Sequence, residues 1–110
     1  MYDYNASVER VIDGDTVRML VDHGMYLRSS QSIRLIDVHA PELGDAGGPE
    51  ARDFVNAWVA VHLHDPAAPW PFHLVTEKDK QTFNRYIGVI SCKACGAVLN
   101  DDINAFLETP

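Results

Sequence analysis

Four short segments of this 110-residue chain carry side chains suited to chemistry on a phosphate ester. They are Asp13-Gly14-Asp15-Thr16-Val17, Arg34-Leu35-Ile36-Asp37-Val38-His39-Ala40-Pro41-Glu42, Gly48-Pro49-Glu50-Ala51 and Phe83-Asn84-Arg85-Tyr86. Phosphodiester cleavage needs a metal ion or cationic clamp on the nonbridging oxygens, and a base that orients and deprotonates water. Two arginines, several carboxylates and a histidine can supply both. A fifth segment, Cys92-Lys93-Ala94-Cys95-Gly96, holds one Cys-x-x-Cys, which is half of a zinc site and needs two further ligands. His73 and the pair His62 and His64 are the candidates to complete it. Two free thiols or a redox-labile disulfide in a turn is the competing reading.

The elements that must position these residues follow from the apolar pattern. Residues 8–22 read as two strands around Asp13-Gly14, a strong hairpin dipeptide, with Val17, Met19 and Val21 recurring at a period of two. His23-Gly24 is a softer turn, residues 29–32 are polar and read as loop, and residues 33–38 form a β-branched third strand ended by Pro41. Residues 43–48 read as a glycine-rich loop leading to Pro49, a first-turn proline that starts an amphipathic helix reaching about residue 63. Three prolines in residues 65–71 make the next connection stiff. Residues 72–76 and 85–91 read as the fourth and fifth strands, and residues 77–84 as a polar loop between them. Leu99, Ile103, Phe106 and Leu107 share one face of a short C-terminal helix, with Asn100 or Asp101 as its cap. This β+α pattern, mainly β, is the connectivity of a five-stranded OB-fold barrel with a helix between strands three and four.

Composition limits the setting. One domain of 1–110 is expected from the length. Hydrophobic residues at 46% and charged residues at 23% exclude wholesale disorder. The start lacks a signal-peptide pattern and no apolar stretch reaches membrane-helix length, so the expectation is a soluble, intracellular protein without a membrane association. The formal charge of −7 argues against holding nucleic acid by bulk electrostatics.

With these segments in order, the chain resembles the staphylococcal nuclease (thermonuclease-like, SNase-like) family over residues 8–107. The resemblance rests on Asp-Gly-Asp-Thr-Val, then Arg-Leu followed by Pro-Glu, then Gly-Pro-Glu-Ala, then an arginine opening the fifth strand. It implies a calcium-dependent nuclease acting on DNA or RNA. By resemblance, Asp15 is the metal-binding aspartate, the backbone carbonyl of Ala40 is a further ligand, and Arg34 and Arg85 grip the scissile phosphate. Glu42 positions or deprotonates the attacking water, and Phe83 stacks on the substrate. Asp13 is left with the Asx-turn role.

Two features depart from that pattern. His39 stands where the family's second metal-ligand aspartate is expected, and imidazole suits zinc, manganese or nickel better than calcium. Asp37 is the candidate replacement carboxylate, two residues away along the expected strand. The open readings are therefore a transition-metal nuclease, a weak calcium nuclease, or an inactive barrel that binds nucleic acid or protein. The chain also ends before the family's usual last helix, so a homodimer or a partner protein filling that place is expected, with the segment around Trp70 as a contact. Binding to DNA or RNA should be weak and of short footprint, because few basic residues are available to displace counterions.

Overall fold

The computed structural model describes residues 2–65, 67–78 and 86–108. Five strands, β1 (Tyr2–Asp13), β2 (Thr16–Asp22), β3 (Arg28–Leu35), β4 (Phe72–Lys78) and β5 (Tyr86–Cys92), close into a barrel in the order β1-β2-β3-β5-β4. Helix α1 (Gly48–Val61) lies between β3 and β4, and α2 (Leu99–Glu108) follows β5. All strand pairs are antiparallel except β3 with β5. This is the expected mainly β barrel with helices, of OB-fold type. Closure leaves no long unpaired edge.

β1 reaches further back than the apolar pattern predicts, because it serves two neighbours. Tyr2–Ala6 pair with β4 while Asn5–Asp13 pair with β2, and register shifts after Val8 and Val11 bend the strand between them. Such bulges increase local twist and let one strand turn a barrel corner. Residues 29–32, expected as loop, are strand. Backbone pairing of Ser29–Ser32 with Arg18–Val21 decides it, where side-chain polarity pointed the other way. At its other end β3 stops at Leu35, earlier than expected. Ile36 and Asp37 form a turn, and Asp37 takes the left-handed conformation at φ 59°.

Met19, Ile33, Leu35, Phe72, Leu74 and Ile90 fill the barrel, all at 1% exposure or less. Val55 and Trp58 from α1 and Leu99 and Ile103 from α2 extend this core, and Phe54 stacks on Phe106 with ring centroids 4.6 Å apart. Pro49 opens α1 as expected. Asn100, by contrast, is not a cap. It is 5% exposed within α2, its Oδ1 accepts from the Ile90 N–H at 3.1 Å, and its Nδ2 donates to the carbonyls of Ile36 and Gly88 at 3.1 and 3.0 Å. Among the described residues, no helix is long and apolar enough to cross a membrane.

Candidate active site

The β1–β2 turn places the first carboxylates. Asp13 Oδ1 accepts the Asp15 N–H at 3.1 Å, the Asx-turn role expected of it. Asp15 is thereby held at the start of β2, where the Thr16 hydroxyl donates to its Oδ1 at 3.1 Å. Antiparallel register sets Thr16 opposite Arg34, and the Leu35 N–H donates to the Asp15 carbonyl at 2.8 Å. Arg34 Nη2 consequently lies 3.8 Å from Asp15 Oδ2.

After the Ile36–Asp37 turn, residues 38–42 form no regular secondary structure, and Val38 is fully buried while the residues after it line the site. Asp13, Asp15, Thr16, Arg34, His39, Ala40, Pro41 and Glu42 line one open cleft of about 450 Å³. The structure thus brings together Asp15, Arg34, His39, Ala40 and Glu42. Asp37 is not among these lining residues. Because β3 ends before it, the strand alternation that would have aligned Asp37 with His39 is absent, and its carbonyl instead accepts from Asn104 Nδ2 at 3.1 Å. Phe83 and Arg85 lie outside the described residues.

Two glycines make this arrangement possible. A Cβ on Gly14 would sit 2.7 Å from both the Ala40 and Ala51 Cβ atoms, so the turn, the segment carrying Ala40 and α1 meet at a point where only hydrogen fits. A Cβ on Gly48 would lie 1.9 Å from the Glu42 carbonyl oxygen. The Gly-Pro-Glu-Ala segment therefore acts by close packing: Gly48 and Ala51 let the Glu42 backbone and the aspartate turn press against the start of α1. Thr16, as a donor to Asp15, is the site residue that pattern reading passes over. A hydroxyl directly after the carboxylate is its sequence signal.

Electrostatics mark Asp15 out. Burial, followed by the hydrogen bond and negative charge of Asp13, raises its pKa above the ordinary aspartate value; the Thr16 hydroxyl and Arg34 oppose that rise. An ionised carboxylate is therefore held at a cost beside a second carboxylate. A bound cation would relieve that cost. Asp13, Asp15, His39 and Glu42 line this cleft together, but among the described residues no three of their ligand atoms come together as a preformed ion site.

The sulfur residues form a separate cluster. One ligand atom from each of His64, Cys92 and Cys95 lies within 4.8 Å of the others. His73 is not part of it: in β4 its Nε2 faces Asp3 Oδ1 at 3.6 Å. His62 turns to α1, with Nδ1 2.8 Å from the Trp58 carbonyl and its ring stacked on Trp58. Trp70 is half-buried, with the Arg28 guanidinium 5.9 Å from its ring centroid.

No family model matches the chain. Over 88 residues, 80% of its length, it is 34% identical to a micrococcal nuclease of Shigella flexneri and 33% identical to Protein ParB of Escherichia coli. The aligned region makes up 42% of the length of each relative. Taken with the closed five-stranded barrel, the likeness to a micrococcal nuclease supports a staphylococcal nuclease-like family.

Proposed function

We propose that this domain is a divalent-metal-dependent phosphodiesterase that hydrolyses DNA or RNA. The observation that carries the reading is the juxtaposition of Asp15, Arg34, His39 and Glu42 in one cleft, with Asp15 half-buried against Asp13. Asp15, the Ala40 carbonyl and His39 would hold the ion, which supplies charge neutralisation to a phosphate. The imidazole tilts this set toward a transition metal such as manganese and away from calcium.

The chain's own residues account for the remaining work. Arg34, one third exposed at the cleft, offers a planar fork of donors to nonbridging phosphate oxygens. Glu42, exposed at the cleft, orients and deprotonates water. Arg85 is assigned the second arginine role, and Phe83 the stacking role, by the family resemblance. The micrococcal nuclease likeness supports a nuclease reading of the domain.

Incubation of purified protein with single-stranded DNA and RNA in manganese, calcium and magnesium tests the reading. The expected outcome is cleavage that chelator abolishes and that Arg34→Ala and Glu42→Gln reduce by about two orders of magnitude or more. Cleavage no greater than that of the variants in all three metals would leave an inactive binding barrel.

A further inference from the structure

The second cluster lies away from the cleft, beyond the C-terminal end of α1. Cys92 ends β5 and opens a tight turn: the Gly96 N–H donates to the Cys92 carbonyl at 2.8 Å, and the Cys92 N–H to the Ala97 carbonyl at 2.8 Å. Gly96 adopts φ 78°, a conformation that costs a side-chain-bearing residue but not glycine. This closes Cys-x-x-Cys-Gly into a knuckle with both sulfurs near one point.

The barrel register then brings a histidine to it. Cys92 pairs with Phe72 at the start of β4, and the Lys93 N–H donates to the Pro71 carbonyl at 3.2 Å. The chain leaving α1 is carried across the same place, where Cys92 Sγ lies 3.6 Å from the His62 carbonyl. Two residues later comes His64, with a ring nitrogen near both sulfurs. Cys92 and Cys95 are free thiols, the first buried and the second exposed.

We propose that His64, Cys92 and Cys95 bind a zinc ion. A tetrahedral site with Zn–S near 2.3 Å and Zn–N near 2.0 Å needs donors roughly 3.5–3.8 Å apart. The three donor atoms lie within 4.8 Å of one another, so rotation of the exposed His64 and Cys95 side chains closes the difference. Two thiolates and an imidazole select a softer ion than the oxygen-rich cleft does. Binding releases one proton from each thiol to the solvent, and the two thiolate charges balance the zinc charge. Water takes the fourth position, since His62 is engaged by Trp58 and His73 by Asp3. The ion would tie the end of α1 to the β5–α2 turn and close the chain between His64 and Cys92 into a loop.

The test is metal content and cobalt spectroscopy on the intact chain. Reduced protein, stripped by chelator and reloaded with one equivalent of zinc, is expected to retain one zinc per chain through desalting. Replacement by cobalt(II) is expected to give a near-ultraviolet thiolate-to-cobalt charge-transfer band with the strong visible bands of a tetrahedral ion. Cys95→Ser, at an exposed position, and His64→Ala should each weaken zinc binding at least tenfold and alter that spectrum. Asp15→Asn should leave it unchanged, which separates this centre from the cleft. Zinc retention unaffected by Cys95→Ser, or a cobalt complex without the charge-transfer band, would overturn the proposal.

Discussion

Asn100 makes the sharpest energetic prediction, because one side chain joins three backbone groups, two in β5 and one in the turn after β3. Its carboxamide accepts from the Ile90 N–H and donates to the Ile36 and Gly88 carbonyls, all at 3.0–3.1 Å and with the residue 5% exposed. Asn100→Ala removes three bonds worth about 1 kcal/mol each. Gly88 keeps a second donor, the Ile36 N–H at 3.0 Å, whereas the Ile90 N–H loses its side-chain acceptor in a buried setting. Water entering the vacated space recovers part of that loss, so the expected net cost is about 3 kcal/mol. For a domain of this size that is a large share of a total of roughly 5–15 kcal/mol, and a fall in Tm of about 10–15 °C.

Urea denaturation and thermal melting followed by circular dichroism read this directly. Asn104→Ala is the internal control. It removes one exposed bond, to the Asp37 carbonyl, and should cost less than about 0.5 kcal/mol. If Asn100→Ala costs no more than Asn104→Ala, the idea that a buried amide bridges β5 to the end of β3 is wrong. The same comparison bears on the cleft, since Ile36 begins the turn that delivers His39, Ala40 and Glu42.

Four further outcomes are expected. Gly48→Ala, whose new Cβ meets Glu42 backbone at 1.9 Å, should destabilise the fold by about 2 kcal/mol or more and lower nuclease activity even where folded; full activity would show that Glu42 need not be held there. Asp15→Asn should raise Tm at pH 7 in cation-free buffer and abolish the stabilisation that manganese gives the wild type. Because the folded-state pKa of Asp15 is raised, the penalty it removes is absent below the unfolded value and sets in as pH rises through the folded one, so the gap between the two proteins should close on acidification to about pH 4; a gap independent of pH would refute this. Trp58→Phe breaks the 2.8 Å bond from the indole N–H to Asp102 Oδ2, and a double-mutant cycle with Asp102→Asn should give a coupling of about 1 kcal/mol. Fluorescence anisotropy should show oligonucleotide binding in manganese and none in chelator, with equal binding in both contradicting a cation-dependent cleft.

Much of the scaffold is legible because its signals are local. Asp13-Gly14 announces the hairpin, the glycine-rich loop and Pro49 announce α1, and the prolines at 69 and 71 fall before β4 as a break in regular structure should. What escapes depends on pairing across the barrel. Ser29–Ser32 show no apolar alternation and become strand through β2, and Tyr2–Ala6 become strand through β4. Asn100 reads as a helix cap from its type, yet the helix already begins at Leu99 and the amide turns to the sheet. In the cleft, Asp15, Arg34 and Glu42 are found by motif, while the requirement for glycine at 14 and 48 emerges only from what their missing side chains would strike. At the thiol knuckle, antiparallel pairing of β4 and β5 brings His73 next to the end of β5, and the chain leaving α1 brings His62 and His64. Which of the three faces the sulfurs is decided elsewhere: Trp58 and Asp3 engage the other two.

The acidic balance of the chain takes on a specific meaning at the cleft. Its described lining carries three carboxylates, Asp13, Asp15 and Glu42, against the single guanidinium of Arg34, so with His39 neutral it is formally negative. Such a cleft repels a phosphate until positive charge is added, whether by a divalent ion at the aspartates or by further basic residues. The basic residues are unevenly spread along the sequence: none occurs from 53 to 77, and Lys78, Lys80 and Arg85 follow within eight residues of one another. Phosphate affinity is then expected to depend on charge added within roughly a Debye length of 8 Å of the cleft. If the proposed activity holds, such a domain is expected to contact few phosphates and to displace few counterions. Short oligonucleotides should then suit it as well as long ones, because the −7 charge disfavours processive binding.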